Sequence, residues 1–300
     1  MFKHILIPLD GSELAETAIP VAAYLAEKLK ARVTLLHVIE KNAPQTVHGQ
    51  KHLVNEEEAG LYLQEMAEKH FPSEVKVIRH VHTDEVERVS TSIAQHSDEL
   101  DPDLIVMCAH GEGGLHDFVV GNIAQQVIAG GSVPVLLLQP KIDDKQQFNG
   151  FKNILVALDG SPEHESGLKV ASELAAELPA TLHLIQVVPT LSTLDAKHSA
   201  TGTLLPATTA ALLEIDEDTA SDYLEEKINA LRKRKIEVSA EVERGDPARQ
   251  VVQSADAHAI GLIVMGTHGK SGLNAFWTGS VAPKIVELTQ IPILLVPVRR

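Results

Sequence analysis

Asp159 closes a short apolar run, and well downstream come Gly266-Thr267-His268-Gly269, then Lys270, then Gly279-Ser280. Those residue types at that spacing suit a ligand with an anionic end. Glycines let a backbone approach a bound group closely, and the first turn of a helix offers unpaired N–H groups and a dipole that favours anions. Gly279 follows Gly269 by ten positions, room for a loop that leaves a strand and ends where the next helix opens. The Ser280 hydroxyl adds a donor or caps that helix, and Lys270 sets a cation beside the glycines. A phosphate chain fits such a loop, while Asp159 can accept a hydrogen bond from an amino group at the other end of the same molecule. An adenine nucleotide meets both needs. Each residue alone has a plainer explanation, since short glycine patterns recur by chance and Asp-Gly-Ser is a common turn. Their joint placement carries the argument.

The elements that would position them are written twice. Phe2-Lys3-His4-Ile5-Leu6-Ile7-Pro8-Leu9-Asp10-Gly11-Ser12 returns as Phe151-Lys152-Asn153-Ile154-Leu155-Val156-Ala157-Leu158-Asp159-Gly160-Ser161, 149 positions later. The segment ending in His110-Gly111 returns as the one ending in His268-Gly269, now 158 positions later. The second copy therefore carries nine extra residues between its second and fourth strands. A third echo closes each half, Val133-Pro134-Val135 matching Ile291-Pro292-Ile293. Repeats of this length signal a duplicated unit, and 300 residues suffice for two domains. The expected domains are 1–140 and 151–300, with Lys141 to Gly150 as a polar linker.

Short continuous apolar runs alternate with helix-period segments, the pattern of a parallel sheet covered on both faces. The fold class is α/β: two tandem doubly wound five-stranded parallel sheets, strand order 3-2-1-4-5. Strands are expected near 4–9, 32–39, 74–81, 103–108 and 133–138, and near 153–158, 181–188, 236–243, 261–266 and 291–296. Asp246-Pro247 signs a helix start, and Asn55 with Glu58 fits a capping box. Pro20, inside the helical pattern Ser12 to Leu29, predicts a kink. Lys41 to Val54 and Thr190 to Thr209 read as long surface loops. In a doubly wound sheet the ligand sits outside the carboxyl ends of the strands where their order reverses, here between strands one and four, where Asp159 and the glycine loop fall.

Gly266-x2-Gly269-x9-Gly279-Ser280 with Asp159 resembles the ATP-binding pattern of the universal stress protein family, and the resemblance spans the whole chain as two tandem copies. It implies an adenine-nucleotide alpha hydrolase-like fold and ATP, with magnesium, as ligand. By the same resemblance Ala157, Leu158, Asp159 and Val187 surround the adenine. Met265, Gly266, His268, Gly269, Gly279, Ser280, Val281 and Ala282 line the ribose and phosphates. The first copy departs from the pattern: Cys108 replaces the first glycine, Asn122 the serine, and Glu112 stands where the second has Lys270. A side chain and a like charge both oppose a phosphate, although Asn122 can still cap a helix. Asp10, Val38, Met107, His110, Gly111 and Gly121 remain, so nucleotide affinity is expected mainly in residues 151–300.

Other chemistries find less support. His110 and His268 have no Ser-His-Asp partners, so ligand contact is a better reading than acid-base work. His48 with His52, and His80 with His82, lack the cysteine or acid that would complete a closed tetrahedral metal site, and read as solvated. Arg232-Lys233-Arg234-Lys235 suits the end of a helix. A net charge of −15 repels a phosphate backbone and argues against nucleic acid. No apolar run approaches the length of a membrane span. One cysteine, Cys108, allows no internal disulfide, which with the absence of a secretory pattern suggests the cytoplasm. Cys108 is either a packed small hydrophobe or a redox-sensitive thiol.

A nucleotide-binding stress regulator is therefore expected, with two alternatives: a ligand-independent interaction scaffold, and a slow ATP-hydrolysing or adenylyl-transfer enzyme. The last lacks a Walker lysine or a pyrophosphate loop, so the chain is expected not to be an enzyme. The fifth strand of each half would be a bare sheet edge alone. Pairing of the two across a pseudo-twofold axis, as the resemblance also implies, would make the chain a covalent pseudo-dimer; a further homodimer is plausible.

Overall fold

The computed structural model describes residues 1–41, 46–47, 50–86, 88–109, 121–130, 132–139, 148, 150–194, 204–267 and 281–298. The apolar runs of the first half form β1 (His4–Pro8), β2 (Arg32–Glu40), β5 (Val77–Val86), β6 (Leu104–Cys108) and β7 (Val135–Leu138). Between β2 and β5 the two-residue strands β3 (Thr46–Val47) and β4 (Gln50–Lys51) pair antiparallel, inside the segment expected as loop. The second half supplies β8 (Asn153–Leu158), β9 (Thr181–Val188), β10 (Val238–Arg244), β11 (Leu262–Thr267) and β12 (Ile293–Pro297).

All ten long strands join one sheet in the order β10-β9-β8-β11-β12-β7-β6-β1-β2-β5. Each half reads 3-2-1-4-5 from its outer edge to its inner one. Every pair is parallel except β12 with β7, which meet antiparallel at the centre with Leu294 opposite Leu136. Parallel strands need crossover helices, and these leave an apolar layer on each face of the sheet. One layer holds Ile5, Ile7, Ile154 and Val156, the other Leu6, Leu155, Ile105 and Ile263, so both run through the two halves.

The helices of the first half are α1 (Glu13–Glu16), α2 (Ile19–Leu29), α3 (Glu56–His70), α4 (Val89–Leu100) and α5 (Asn122–Gly130). Those of the second are α6 (Ser166–Glu177), α7 (Pro206–Lys233), α8 (Pro247–Ala257) and α9 (Val281–Leu288). The local start signals operate: the Asp246 carboxylate accepts the Arg249 N–H at 3.1 Å, and Asn55 accepts that of Glu58 at 2.9 Å. Arg232 and Lys233 occupy the last turn of α7, as the basic run requires.

Several expectations are corrected. Pro20 does not kink a continuous helix; the chain breaks at Thr17-Ala18 and Pro20 sits in the first turn of α2, where its missing N–H costs nothing. The third strands start two to three residues later than the apolar pattern suggested, because Val75 and Ile236 are buried ahead of the ladder rather than in it. The long loop of the second half ends sooner, with α7 beginning at Pro206. Register also locates the extra residues. Val77 pairs with Val33, and Val238 with Leu182; the third strands lie 161 positions apart, the second strands 149. Twelve residues therefore enter between strands two and three, largely as the longer α7, and three are lost before strand four. Of the supposed linker, Phe148 is no polar spacer: its ring packs edge-on to Tyr24 at 5.1 Å and Phe151 at 4.9 Å, tying the junction to α2.

Candidate functional site

In the second half β8 and β11 are neighbours, with Met265 opposite Ala157. Their carboxyl ends thus form the crevice at which the strand order reverses. Side-chain burial changes there. Ile154, Leu155 and Val156 are wholly buried, Ala157, Leu158 and Gly266 are half-buried, and Asp159 is exposed. Ala157, Val187 and Val281 pack against the apolar layer that includes Met265 and Ala282, so three predicted strand residues share one face of the sheet with the first turn of α9, which supplies the other two. Leu158 packs on the opposite face. His268, Gly269, Lys270, Gly279 and Ser280 lie outside the described residues.

Asp159 is held by its own turn. Gly160 adopts a φ of +77°, which brings the Ser161 N–H to Asp159 Oδ1 at 2.9 Å. Oδ2 lies 2.5 Å from Nδ1 of His164, the last residue of a single 3₁₀ turn, Pro162–His164. The carboxylate is still 46% exposed, so an incoming amino group can reach it. His164 was not singled out from sequence, and its signal is weak, a histidine five positions after the aspartate where the first copy has Ala15.

Gln186 was missed as well. It pairs with Leu158 in register, and its Nε2 lies 2.9 Å from where a Cβ on Gly160 would stand. Its Oε1 is buried with no hydrogen-bond partner among the described residues. An acceptor left so costs roughly 1–3 kcal/mol. In register with Leu158, Gln186 lies on the face opposite Ala157 and Val187.

Gly266 has a role that spacing did not disclose. A Cβ there would stand 2.6 Å from the His164 carbonyl oxygen, and one on Gly167 would stand 3.0 Å from the Gly266 nitrogen. The close approach of the chain's own 3₁₀ turn and α6 to β11 demands a glycine at 266, whether or not a phosphate passes. The first half has Cys108, half-buried, at that sheet position, with Ala15 and Ala18 where the second has His164 and Gly167.

In the first half the end of strand one is engaged by its own chain. Asp10 Oδ1 accepts from both the Ser12 N–H at 2.9 Å and the Ser12 hydroxyl at 2.6 Å, and Ser12 Oγ in turn accepts the Ala15 N–H that caps α1. The Leu53 side chain lies 2.9 Å from a Cβ position on Gly11. Where the second half has Gln186, the first has His37, 1% exposed, with Nδ1 2.8 Å from the Leu9 carbonyl and Nε2 3.0 Å from that of Leu53. Val38 and Met107 are buried. Gly121, not Asn122, takes the cap position of α5, its carbonyl accepting the Gln125 N–H at 3.0 Å; Asn122 is the first helical residue. His110, Gly111 and Glu112 lie outside the described residues.

The histidines expected in solvent are not there. His52 is buried, and His80 and His82 on β5 are half-buried against His96 of α4, with ring centroids 4.8 Å apart in both pairs. His48 lies outside the described residues.

A doubled 3-2-1-4-5 sheet with a crevice at its switch points defines a tandem protein of the adenine-nucleotide alpha hydrolase-like fold. Comparison of sequences narrows the class: the universal stress protein family profile matches residues 1–139 and again 150–297. Universal stress protein Slr1230 of Synechocystis sp. is 25% identical, with 97% of this chain and 99% of that protein covered. Universal stress protein YxiE of Bacillus subtilis is 31% identical over 49% of this chain and 99% of its own length. A universal stress protein from Archaeoglobus fulgidus superposes with a TM-score of 0.65 at 18% identity, covering 99% of this chain and 98% of that one. A putative universal stress protein from Pseudomonas aeruginosa gives 0.67 at 16% identity, covering 99% and 93%. The chain belongs to the universal stress protein family and carries two of its domains. Among the described residues no helix is long and apolar enough to cross a membrane.

Proposed function

We propose that the second half binds an adenine nucleotide, ATP with magnesium, and that the protein acts as a nucleotide-responsive stress regulator rather than as an enzyme. The observation that carries this is the exposed Asp159 carboxylate at the carboxyl end of β8, where the strand order reverses, with Ala157, Val187 and Met265 on one face of the sheet there. The exocyclic amino group of adenine supplies a further donor to the Asp159 carboxylate. Ala157, Val187, Met265, Val281 and Ala282 provide an apolar bed on one face for the purine and ribose. Gly266, with His268, Gly269, Gly279 and Ser280, would hold the phosphates, whose charge is neutralised in part by magnesium. Binding of this kind needs no turnover, so ATP hydrolysis is expected to be slow and incidental. The site of action is read as the cytoplasm.

Calorimetry of the full chain with ATP and magnesium tests the reading. Gly279→Leu is expected to abolish most binding and Gly121→Leu to leave it intact. Equal losses would sink the asymmetry, and no heat at millimolar nucleotide would sink the function. Multiple-turnover kinetics check the expected lack of catalysis, and light scattering the count of chains.

A further inference from the structure

The first half carries a cluster that its repeat lacks. His80 and His82 alternate with Arg79 and Val81 along β5, the outer edge strand, and both face α4. Arg79 faces the other way, its guanidinium donating to Gln64 of α3 at 3.0 Å. From α4, His96 reaches back to them, and one ring nitrogen from each of the three imidazoles lies within 4.8 Å of the others. His96 is buried and fixed: Nδ1 is 2.9 Å from the Ser92 carbonyl, which only accepts, so the proton resides on Nδ1 and Nε2 presents its lone pair. That lone pair accepts the His80 Nε2–H at 2.9 Å. A histidine whose outer nitrogen is tied to a backbone carbonyl is oriented as metal-ligating histidines are. Burial, with the neighbouring imidazoles, lowers the pKa of His80, while the Glu99 carboxylate acts in the opposite sense.

The second half resolves the same contact with other chemistry. By register Glu241 replaces His80 and Glu243 replaces His82, and on the following helix Ser254 replaces His96. There the Ser254 hydroxyl donates to Glu241. A bridge between strand three and its helix thus needs no histidines at all, and three on one spot exceed what packing requires.

We propose that His80, His82 and His96 form a binding site for a borderline divalent transition-metal ion such as zinc, one ring nitrogen from each, with a fourth position open to water. Tetrahedral zinc with Zn–N of about 2.0–2.1 Å sets ligand nitrogens roughly 3.3 Å apart, so the three must draw together and the His80–His96 pair open slightly. The shared proton on His80 Nε2 moves to its Nδ1 or to solvent as the ion enters. Imidazole ligands suit zinc, copper, nickel and cobalt over magnesium or calcium.

The test uses the untagged full chain stripped with chelator and titrated with Zn²⁺ by equilibrium dialysis, and with Co²⁺ followed by its visible ligand-field absorption. One ion per chain is expected, with an intense tetrahedral Co²⁺ band that Zn²⁺ bleaches. His96→Gln should remove the band. His82→Gln, half-exposed and less bound up with folding, should weaken affinity by roughly tenfold or more; His183→Gln, in the His183–His258 ring pair of the second half, should change nothing. If the wild type takes up no stoichiometric ion, or if His82→Gln binds as tightly as the wild type, the site does not exist and the cluster is a packing contact alone.

Discussion

Leu294 and Leu136 face each other across the antiparallel junction of β12 and β7, each 1% exposed. This contact abolishes two sheet edges at once. Gln139 reinforces it, its side-chain amide donating to the Val286 carbonyl at 2.6 Å. The halves share both apolar layers, so the junction is core rather than a surface where two finished domains touch.

Truncation across that junction should therefore behave as core truncation. Leu294→Ala and Leu136→Ala are each expected to cost about 2–5 kcal/mol. Because the two side chains are in one contact, the double variant should depart from the sum by more than about 0.5 kcal/mol. Urea titration of the four proteins measures the coupling. Strict additivity would mean that the junction is loose.

Gly266 offers a cleaner separation of packing from binding. A methyl group there meets the His164 carbonyl at 2.6 Å, and neither β11 nor the 3₁₀ turn can shift without disturbing its neighbours. Gly266→Ala should lose about 1–3 kcal/mol in the absence of any nucleotide. A stable Gly266→Ala protein that merely fails to bind ATP would restore the simpler view that this glycine exists for the phosphates.

Gln186 makes the opposite prediction. Replacing it with methionine removes an unpaired buried acceptor, so stability without ligand should hold or rise by about 1 kcal/mol. Nucleotide affinity should stay unchanged, because Gln186 is in register with Leu158 on the face opposite Ala157 and Val187. Calorimetry and urea titration on the same variant read both. A joint loss of stability and affinity would make Gln186 structural.

What could be read in the chain beforehand follows from how local each signal is. Asp246-Pro247 and Asn55 announce helix starts through contacts three residues long, and the strands themselves follow from the doubled apolar runs. Asp159 and Ala157 were legible because the repeat marks the end of strand one. Gln186 was not, because its importance lies in a missing partner across the Gly160 turn. The His80-His82-His96 cluster was half legible: the alternation on one strand is local, but His96 arrives from a helix sixteen positions away, and no spacing rule for metal sites joins them. Pro20 was misread because a proline inside a helical pattern and one in the first turn of a new helix differ only in whether the preceding turn closes.

Acid should loosen this fold before its carboxylates protonate. His4, His70 and His183 all have pKa values lowered from 6.5, chiefly by burial. At His4 the Arg32 guanidinium adds to the effect, standing 3.0 Å from Nδ1, while Nε2 is 2.8 Å from Thr34 Oγ1. The fold holds these rings neutral, whereas the unfolded chain takes up protons as pH falls through about 6.5. The unfolded state therefore binds more protons in that window, and stability present above pH 6.5 is lost as pH drops toward the folded pKa values. Glu16, raised by burial, acts in the other direction, gaining stability on acidification toward the ordinary carboxylate range. Urea midpoints taken from pH 7.5 down to 5.5, with chelator present, should fall, and His4→Gln should flatten the slope. A midpoint that climbs over this range, or an unchanged slope in the His4→Gln protein, would show that the buried imidazole carries none of it.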